Sequence, residues 1–452
     1  MGALAVGIGK LEDALPFFKK ALDSNPTVNQ YWLSYAEALI KLKRFDEATK
    51  NLQSVIKKQP DFLEAHYNLG ILHTQNGSLN EAMASYKRAL EIQPNYAEAH
   101  YNLGNIYLEL DKLDEAEANF TRAITLNPSY AEAHSNLGVT LHRLKRLVDA
   151  EASYQRVIAL NPENAEAYYN LGSVRELLYR LDEAEFTLRQ AISLQPDYFE
   201  AHNMLGHVYR KLGRLDEAEA SYRRVLTLQP SHSTAKHMLA ATTGETTEIA
   251  PLDYVERLFD MYASEFDSSL KDKLEYRTPK IIADMIMEDN ESNFLGSVMD
   301  LGCGTGLFGR EVERVCEHLE GIDLSEKMLR RAKSKNIYDE LIKGDILTHL
   351  ANAKLDFNYF AAIDVFIYIG DLSDVFRLIK SRNEISGKLV FSTEDYDGDG
   401  FFLTQSGRYS HSKEYIKSLC EGFGYKLLRF KTANIRIENN RYVSGGLYLL
   451  DF

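Results

Sequence analysis

The residues whose types and spacing could do chemistry lie in the second half of the chain. Val298-Met299-Asp300-Leu301-Gly302-Cys303-Gly304-Thr305-Gly306 reads as a short apolar strand, an acid, then three glycines at every second position. A helix-like run starts at Leu307. Glycine suits a backbone that turns sharply and comes close to a ligand, where a Cβ would collide. The helix start behind the turn offers unpaired N–H groups and a partial positive charge. This is a cofactor loop. Gly304-Thr305-Gly306-Leu307-Phe308-Gly309 also spells G-x-G-x-x-G, the dinucleotide fingerprint. Asp300 weighs against that reading, because a carboxylate beneath the loop repels a pyrophosphate and suits an ammonium-bearing ligand.

The nine residues resemble motif I of the class I S-adenosylmethionine-dependent methyltransferases. After them strands and helices alternate, as in a parallel sheet. His318 to Ile322 is the second strand and ends on Asp323, Leu341 and Ile342 begin the third, and Phe357 to Ile363 is the fourth. Lys388 to Ser392 is the fifth, and Tyr425 to Phe430 with Tyr442 to Leu450 forms a terminal antiparallel pair. That is the seven-stranded methyltransferase sheet, whereas a nicotinamide enzyme predicts a sixth parallel strand. The resemblance implies S-adenosylmethionine as cofactor, held by Asp300, Gly302, Gly304, Gly306, Asp323, Leu324, Asp345 and Ile346. Asp323 would accept from both ribose hydroxyls, Asp345 from the adenine amine, and Ile346 would pack on the ring. The family places its substrate edge after the fourth strand, which puts Asp364 and Tyr368 on the sulfonium side. No Asn-Pro-Pro-Tyr or Asp-Pro-Pro-Tyr follows that strand, and no glutamate pair has the arginine methyltransferase spacing. Amide, base-amine and arginine methylation of those types lack support.

Two further elements bear on the pocket. Leu252 to Ala263 has helical spacing. Tyr262-Ala263-Ser264-Glu265-Phe266-Asp267 resembles the lid of small-molecule methyltransferases, so Tyr262 or Phe266 would cover the cofactor. The loop Asp397 to Ser412 lies over the substrate in that topology. Ser412 caps a helix starting at Lys413, which leaves His411 in a loop facing the pocket as a candidate base.

The first half is built from repeats. Pro26, Pro60, Pro94, Pro128, Pro162, Pro196 and Pro230 fall 34 residues apart, as do Ala14, Ala48, Ala82, Ala116, Ala150, Ala184 and Ala218. A small residue recurs in phase from Ala36 through Gly70, Gly104, Gly138, Gly172 and Gly206. Each unit reads as two amphipathic helices that approach closely at the small residues and end before the proline. The pattern resembles the tetratricopeptide repeat: seven units, the first clipped, with Ser233 to Ala241 as closing helix. Such stacks form superhelices with a long concave face. Asn68, Asn102, Asn136 and Asn170 hold one point of four successive first helices, and a row of amides can grip an extended peptide backbone. The row resembles the asparagine ladder of the O-GlcNAc transferase superhelix. It also resembles part of the carboxylate clamp of co-chaperones, whose basic partners are replaced by Asn105, Val139 and Ser173. His66, His100, His134 and His202 sit one superhelical step apart, too far for one metal ion.

These readings divide the chain into a repeat superhelix (1–243), a hinge-like linker (244–251) and a methyltransferase domain with lid helices (252–452). The pairing resembles bacterial predicted methyltransferases that carry tetratricopeptide repeats. It implies methyl transfer to a protein or metabolite, with a protein or peptide in the repeat groove. The alternatives are an inactive scaffold, or a small-molecule methyltransferase only recruited by its repeats. The 452 residues exceed one ordinary core. A net charge of −14 argues against nucleic acid as the main partner. Three scattered cysteines with no zinc or disulfide spacing fit a cytoplasmic protein. No stretch suits a signal peptide or a membrane span.

Overall fold

The computed structural model describes residues 11–25, 28–263, 266–268, 276–290, 292, 294–438 and 441–452. Two compact units divide the chain, Met1–Met204 and Leu205–Phe452.

The first unit is helical throughout. Asn29–Lys41 pairs with Phe45–Lys58, Leu63–Gln75 with Leu79–Ile92, Ala97–Glu109 with Leu113–Leu126, Ala131–Arg143 with Leu147–Leu160, and Ala165–Leu177 with Leu181–Leu194. Leu11–Ser24 precedes them as the second helix of the clipped unit. The recurring glycine is explained by its neighbour sixteen residues on. A Cβ on Gly104 would come within 2.7 Å of the Phe120 ring, and one on Gly70 within 2.6 Å of Tyr86. The buried aromatic of the second helix, Tyr86, Phe120, Tyr154 or Tyr222, fills the space that glycine leaves on the first, and Leu188 does so opposite Gly172. The recurring histidines answer the recurring prolines. The Nε2 atoms of His66, His100, His134 and His202 lie 2.8–3.2 Å from the carbonyl oxygens of Pro60, Pro94, Pro128 and Pro196. Each ring is bonded to a proline carbonyl at the turn before its helix, and no group of three or more residues able to hold a metal ion occurs among the described residues.

The last repeat, Phe199–Lys211 with Leu215–Leu228, crosses the division. Its second helix and the closing helix Ser233–Thr243 belong to the second unit. Gly244 ends the closing helix in the left-handed conformation, φ 78°. The segment expected as a hinge is bonded along its length. The Glu248 carbonyl accepts from the amides of Gly370 and Asp371 at 2.8 and 2.9 Å, and the Ala250 amide donates to the Tyr368 carbonyl at 3.0 Å.

The second unit is built on one sheet of nine strands among the described residues. β1 (Ser297–Leu301), β2 (His318–Asp323), β3 (Glu340–Lys343), β4 (Tyr359–Ala362) and β5 (Lys388–Asp395) run parallel in the order 3-2-1-4-5. β9 (Arg441–Asp451) pairs antiparallel with β5 and with β8 (Lys426–Glu438). These seven match the expected sheet. The other two correct the loop expected at 397–412. β6 (Phe401–Leu403) and β7 (Tyr409–His411) form a small hairpin, and β7 runs parallel to the end of β5. Alternate residues of β1, β4 and β5 enter opposite cores. Met299, Phe360 and Phe391 face one, and Val298, Tyr359 and Val390 the other, as in a sheet covered on both faces.

Candidate functional site

The glycine loop joins β1 to the helix Leu307–Val312. Gly302, Gly304 and Gly306 all have positive φ, at 69°, 53° and 83°. A Cβ on Gly302 would strike Val365 at 2.4 Å, whereas one on Gly304 would meet nothing nearer than Phe266 at 3.8 Å. Gly304 is thus the open point of the turn. The loop's amides are engaged within the protein. Those of Gly302 and Cys303 donate to the Ile322 carbonyl at 2.8 and 2.9 Å, and that of Gly306 to the Cys303 carbonyl at 2.8 Å. The Gly304 amide donates to Asp323 Oδ2 at 2.8 Å, and the Ser325 amide to Asp323 Oδ1 at 2.8 Å. Asp323 therefore ties the end of β2 to the glycine loop.

A cavity opens along the carboxyl ends of the strands. Asp300, Gly302, Gly304, Asp323, Leu324, Asp345, Ile346, Asp364 and Tyr368 all line it. Burial pushes the Asp300 carboxyl up to about 7, although the Tyr338 hydroxyl donates to it at 2.6 Å. Burial likewise pushes Asp323 up to about 6, against the pull of its two amide donors. Both acids are costly to ionise without a further donor or cation beside them. Asp345 faces the cavity while its Oδ2 caps the helix Ile346–Asn352, accepting from the Thr348 amide at 2.8 Å.

The strand order sets β2 and β3 to one side of β1 and β4 and β5 to the other, with the exits of β4 and β5 carrying a second set of polar groups. Asp364 has φ 57°, a conformation that side chains other than glycine rarely adopt. It is held there by Ser392, whose Oγ accepts from the Asp364 amide at 2.8 Å and donates to its carboxylate at 3.0 Å. Burial raises its pKa, while Arg436 at 3.7 Å opposes the rise. Arg436 also pairs with Glu394, which Arg408 reaches at 2.9 Å. Burial pushes the Tyr368 hydroxyl further above its ordinary range, so it is protonated near neutrality and able to donate.

Three expected residues stand elsewhere. Gly306 shapes the loop but does not line the cavity. Tyr262, at the end of the helix Leu252–Tyr262, is 53% exposed and does not line it; Phe259 and Phe266 do. Ser264 and Glu265 of the expected lid lie outside the described residues. Asp260 of that helix accepts from Ser325 Oγ at 2.5 Å, and Asp267 pairs with Lys335 at 2.7 Å, which ties the covering segments to the loop after β2 and to its helix. His411 is not a base facing the pocket. It ends β7, is 1% exposed, and its Nε2 lies 3.0 and 2.9 Å from the carbonyl oxygens of Ile369 and Gly370. Carbonyls only accept, so Nε2 carries the proton. Burial pushes the ring down to about 4, which keeps it neutral.

Arg408, Arg436, Tyr276 and Phe259 line the cavity and were missed by sequence reasoning. Arg436 left one signal, a cation flanked by Ile435 and Ile437. A β-bulge at Asn434/Arg436 re-aims it toward the cavity.

In the first unit the asparagines are half-buried and partly engaged. Asn102 Nδ2 donates to the Tyr67 hydroxyl at 3.1 Å, and Asn136 Nδ2 to Asn105 Oδ1 at 2.7 Å and to the Tyr101 hydroxyl at 3.4 Å. Asn102 and Asn136 are thus each bonded to the preceding repeat.

Comparison with known proteins agrees with this architecture. Profiles of the tetratricopeptide repeat match residues 6–70, 72–111, 97–130, 131–164, 153–186 and 199–232. A methyltransferase domain profile matches residues 295–441. The chain joins tetratricopeptide repeats to a methyltransferase domain. Among solved structures, YrrB, described as a TPR protein with an unusual peptide-binding site, is 25% identical. It covers 41% of this chain and 96% of its own, with a TM-score of 0.39. A structure of MamA is 28% identical over 37% of this chain and 97% of its own, with a TM-score of 0.35. No helix among the described residues is long and apolar enough to cross a membrane.

Proposed function

We propose that the second unit transfers a methyl group from S-adenosylmethionine to a small acceptor, and that the repeats bind a protein or peptide partner. One observation carries the cofactor reading. The glycine loop commits the amides of Gly302, Cys303, Gly304 and Gly306 to protein acceptors, while Asp300 and Asp323 line the cavity. A pyrophosphate needs free amides and no adjacent carboxylate. An aminoacyl nucleoside needs acids for its ammonium and its ribose hydroxyls, which Asp300 and Asp323 supply. Asp345 and Ile346 then serve the base, and Phe259 and Phe266 cover it.

S-adenosylmethionine supplies an activated methyl group on sulfur. The chain's own residues bind, orient and exclude water. Asp364, Tyr368, Arg408 and Arg436 form the acceptor wall, with Tyr368 as a hydrogen-bond donor. His411 has no part as a base, and proximity carries most of the acceleration in such a transfer. Ile249, Ala250, Leu252, Val255 and Phe259 give the cavity an apolar wall, which favours a small acceptor over a folded protein surface. An inactive scaffold is disfavoured because every acid and glycine of the cofactor set is retained.

Isothermal titration with S-adenosylhomocysteine and with NADH tests the cofactor. Binding of the first and not the second is expected, and the reverse overturns the reading. Labelled-methyl transfer into a lysate divided into protein and metabolite fractions tests the acceptor. Label in the metabolite fraction is expected.

A further inference from the structure

The helix that closes the repeats reaches the wall of the cavity through buried contacts. His237, on Ser233–Thr243, is 2% exposed, and its Nε2 lies 2.9 Å from the Gly407 carbonyl. Gly407 has φ 83° and sits in the turn between β6 and β7. Its missing Cβ matters, since one would press on Met238 Sδ and the Tyr254 hydroxyl, each at 3.2 Å. The same turn carries Arg408 into the cavity, and Arg210 of the last repeat donates to the Gln405 carbonyl beside it. At the other end of the hairpin, His411 holds the carbonyls of Ile369 and Gly370, next to Tyr368. Two buried rings, each donating to backbone carbonyls, thus link the closing helix to the hairpin and the hairpin to the Tyr368 segment. Thr247 adds a hydrogen bond to the Tyr409 hydroxyl at 2.6 Å.

We propose that His237 is a positioning residue for the cavity. It holds the turn that carries Arg408, so the end of the repeat stack sets the acceptor wall of the methyltransferase domain. His237 touches no reacting group; it acts through Gly407 on Arg408, and through the hairpin and His411 on Tyr368. The cavity and the closing helix are then thermodynamically linked, and a ligand in one is felt in the other.

Hydrogen–deuterium exchange on the full chain tests this, with and without S-adenosylhomocysteine. His237→Ala is expected to speed exchange at least tenfold in 401–411 and also in 366–371, with 300–309 unchanged. His237→Gln can still donate to the Gly407 carbonyl and is expected to restore the slow exchange. Gly407→Ala, which keeps His237 but wedges the turn away from Met238, is expected to reproduce the His237→Ala pattern. Added S-adenosylhomocysteine is expected to slow exchange in 233–243 of the wild type and not of His237→Ala. The proposal is overturned if faster exchange stays within 233–243, if it rises evenly over the whole second unit, or if His237→Gln behaves as His237→Ala. The ligand arm alone rests on the cofactor reading. Failure of the wild type to bind S-adenosylhomocysteine would sink that reading and leave the ligand-free arm to decide this one.

Discussion

The repeat stack and the sheet-bearing unit solve the same problem, placing polar groups at fixed points, by opposite means. In the repeats one solution is reused. In four repeats a histidine answers a proline six residues back, and in four a glycine admits an aromatic sixteen residues on. In the second unit each solution occurs once and spans a long stretch of chain. Asp323 reaches Gly304 across 19 residues, His411 reaches Gly370 across 41, and His237 reaches Gly407 across 170. Local reuse tolerates loss of one copy; a singular long-range contact does not.

The largest expected effect lies in the singular set. Asp323→Ala removes the acceptor of two loop amides along with the proposed ribose contacts. Charged hydrogen bonds contribute about 1.5–3 kcal/mol each, so affinity for S-adenosylhomocysteine should fall about a hundredfold or more by titration calorimetry. An unchanged affinity in a folded variant would show that the acid is not at the ligand. Next comes a reused contact. Gly104→Ala drives a Cβ against Phe120 and should cost about 1–3 kcal/mol of stability, as overpacking does. Denaturant unfolding should show that loss while cofactor affinity stays put; a parallel drop in affinity would erase the contrast between the units.

Smaller still is the asparagine row. Replacing Asn68, Asn102, Asn136 and Asn170 together by Ala should weaken partner capture in a pull-down by at least tenfold, at about 0.5–1.5 kcal/mol for each hydrogen bond. Melting should fall modestly too, because Asn102 and Asn136 bond the neighbouring repeat. The same captured proteins in the same amounts would leave the row a purely structural seam. The smallest effect is with pH. Asp300 and Asp323 stand near 7 and 6, above their unfolded values, so the ligand-free folded state holds extra protons below neutrality. These two groups destabilise the fold above pH 7, and that cost fades as pH falls through 7 and 6. Ligand contacts need the ionised acids, so affinity should decline severalfold from pH 8 to pH 6 while the ligand-free protein gains stability from these groups. A flat affinity profile would mean that the acids do not change protonation on binding.

Legibility followed the same division. The repeats were readable because a 34-residue period reports itself: every helix pair among the described residues lies where the prolines and alanines put it. The glycine loop, Asp323, Asp345 and Asp364 were readable because each stands at a strand end, which alternation and glycine spacing reveal. Tyr262, His411 and the 397–412 segment were misread for one reason. Which way a side chain faces depends on partners far off in sequence, such as the Ile369 and Gly370 carbonyls that claim His411. Arg408 left no signal and Arg436 only its place between two isoleucines, for the same cause: a hairpin turn and a bulge bring them to the cavity.

The long reach of His237 also has a consequence in the order of synthesis. Each repeat can pack against its predecessor as it emerges, but the closing helix cannot finish. The carbonyl that His237 needs is made 170 residues later. At about 5–20 residues per second, that is a wait of roughly 10–30 s. Through that interval His237 and Met238 stand without the turn that covers them in the finished protein. The joint between repeats and enzyme is among the last parts of the chain to close.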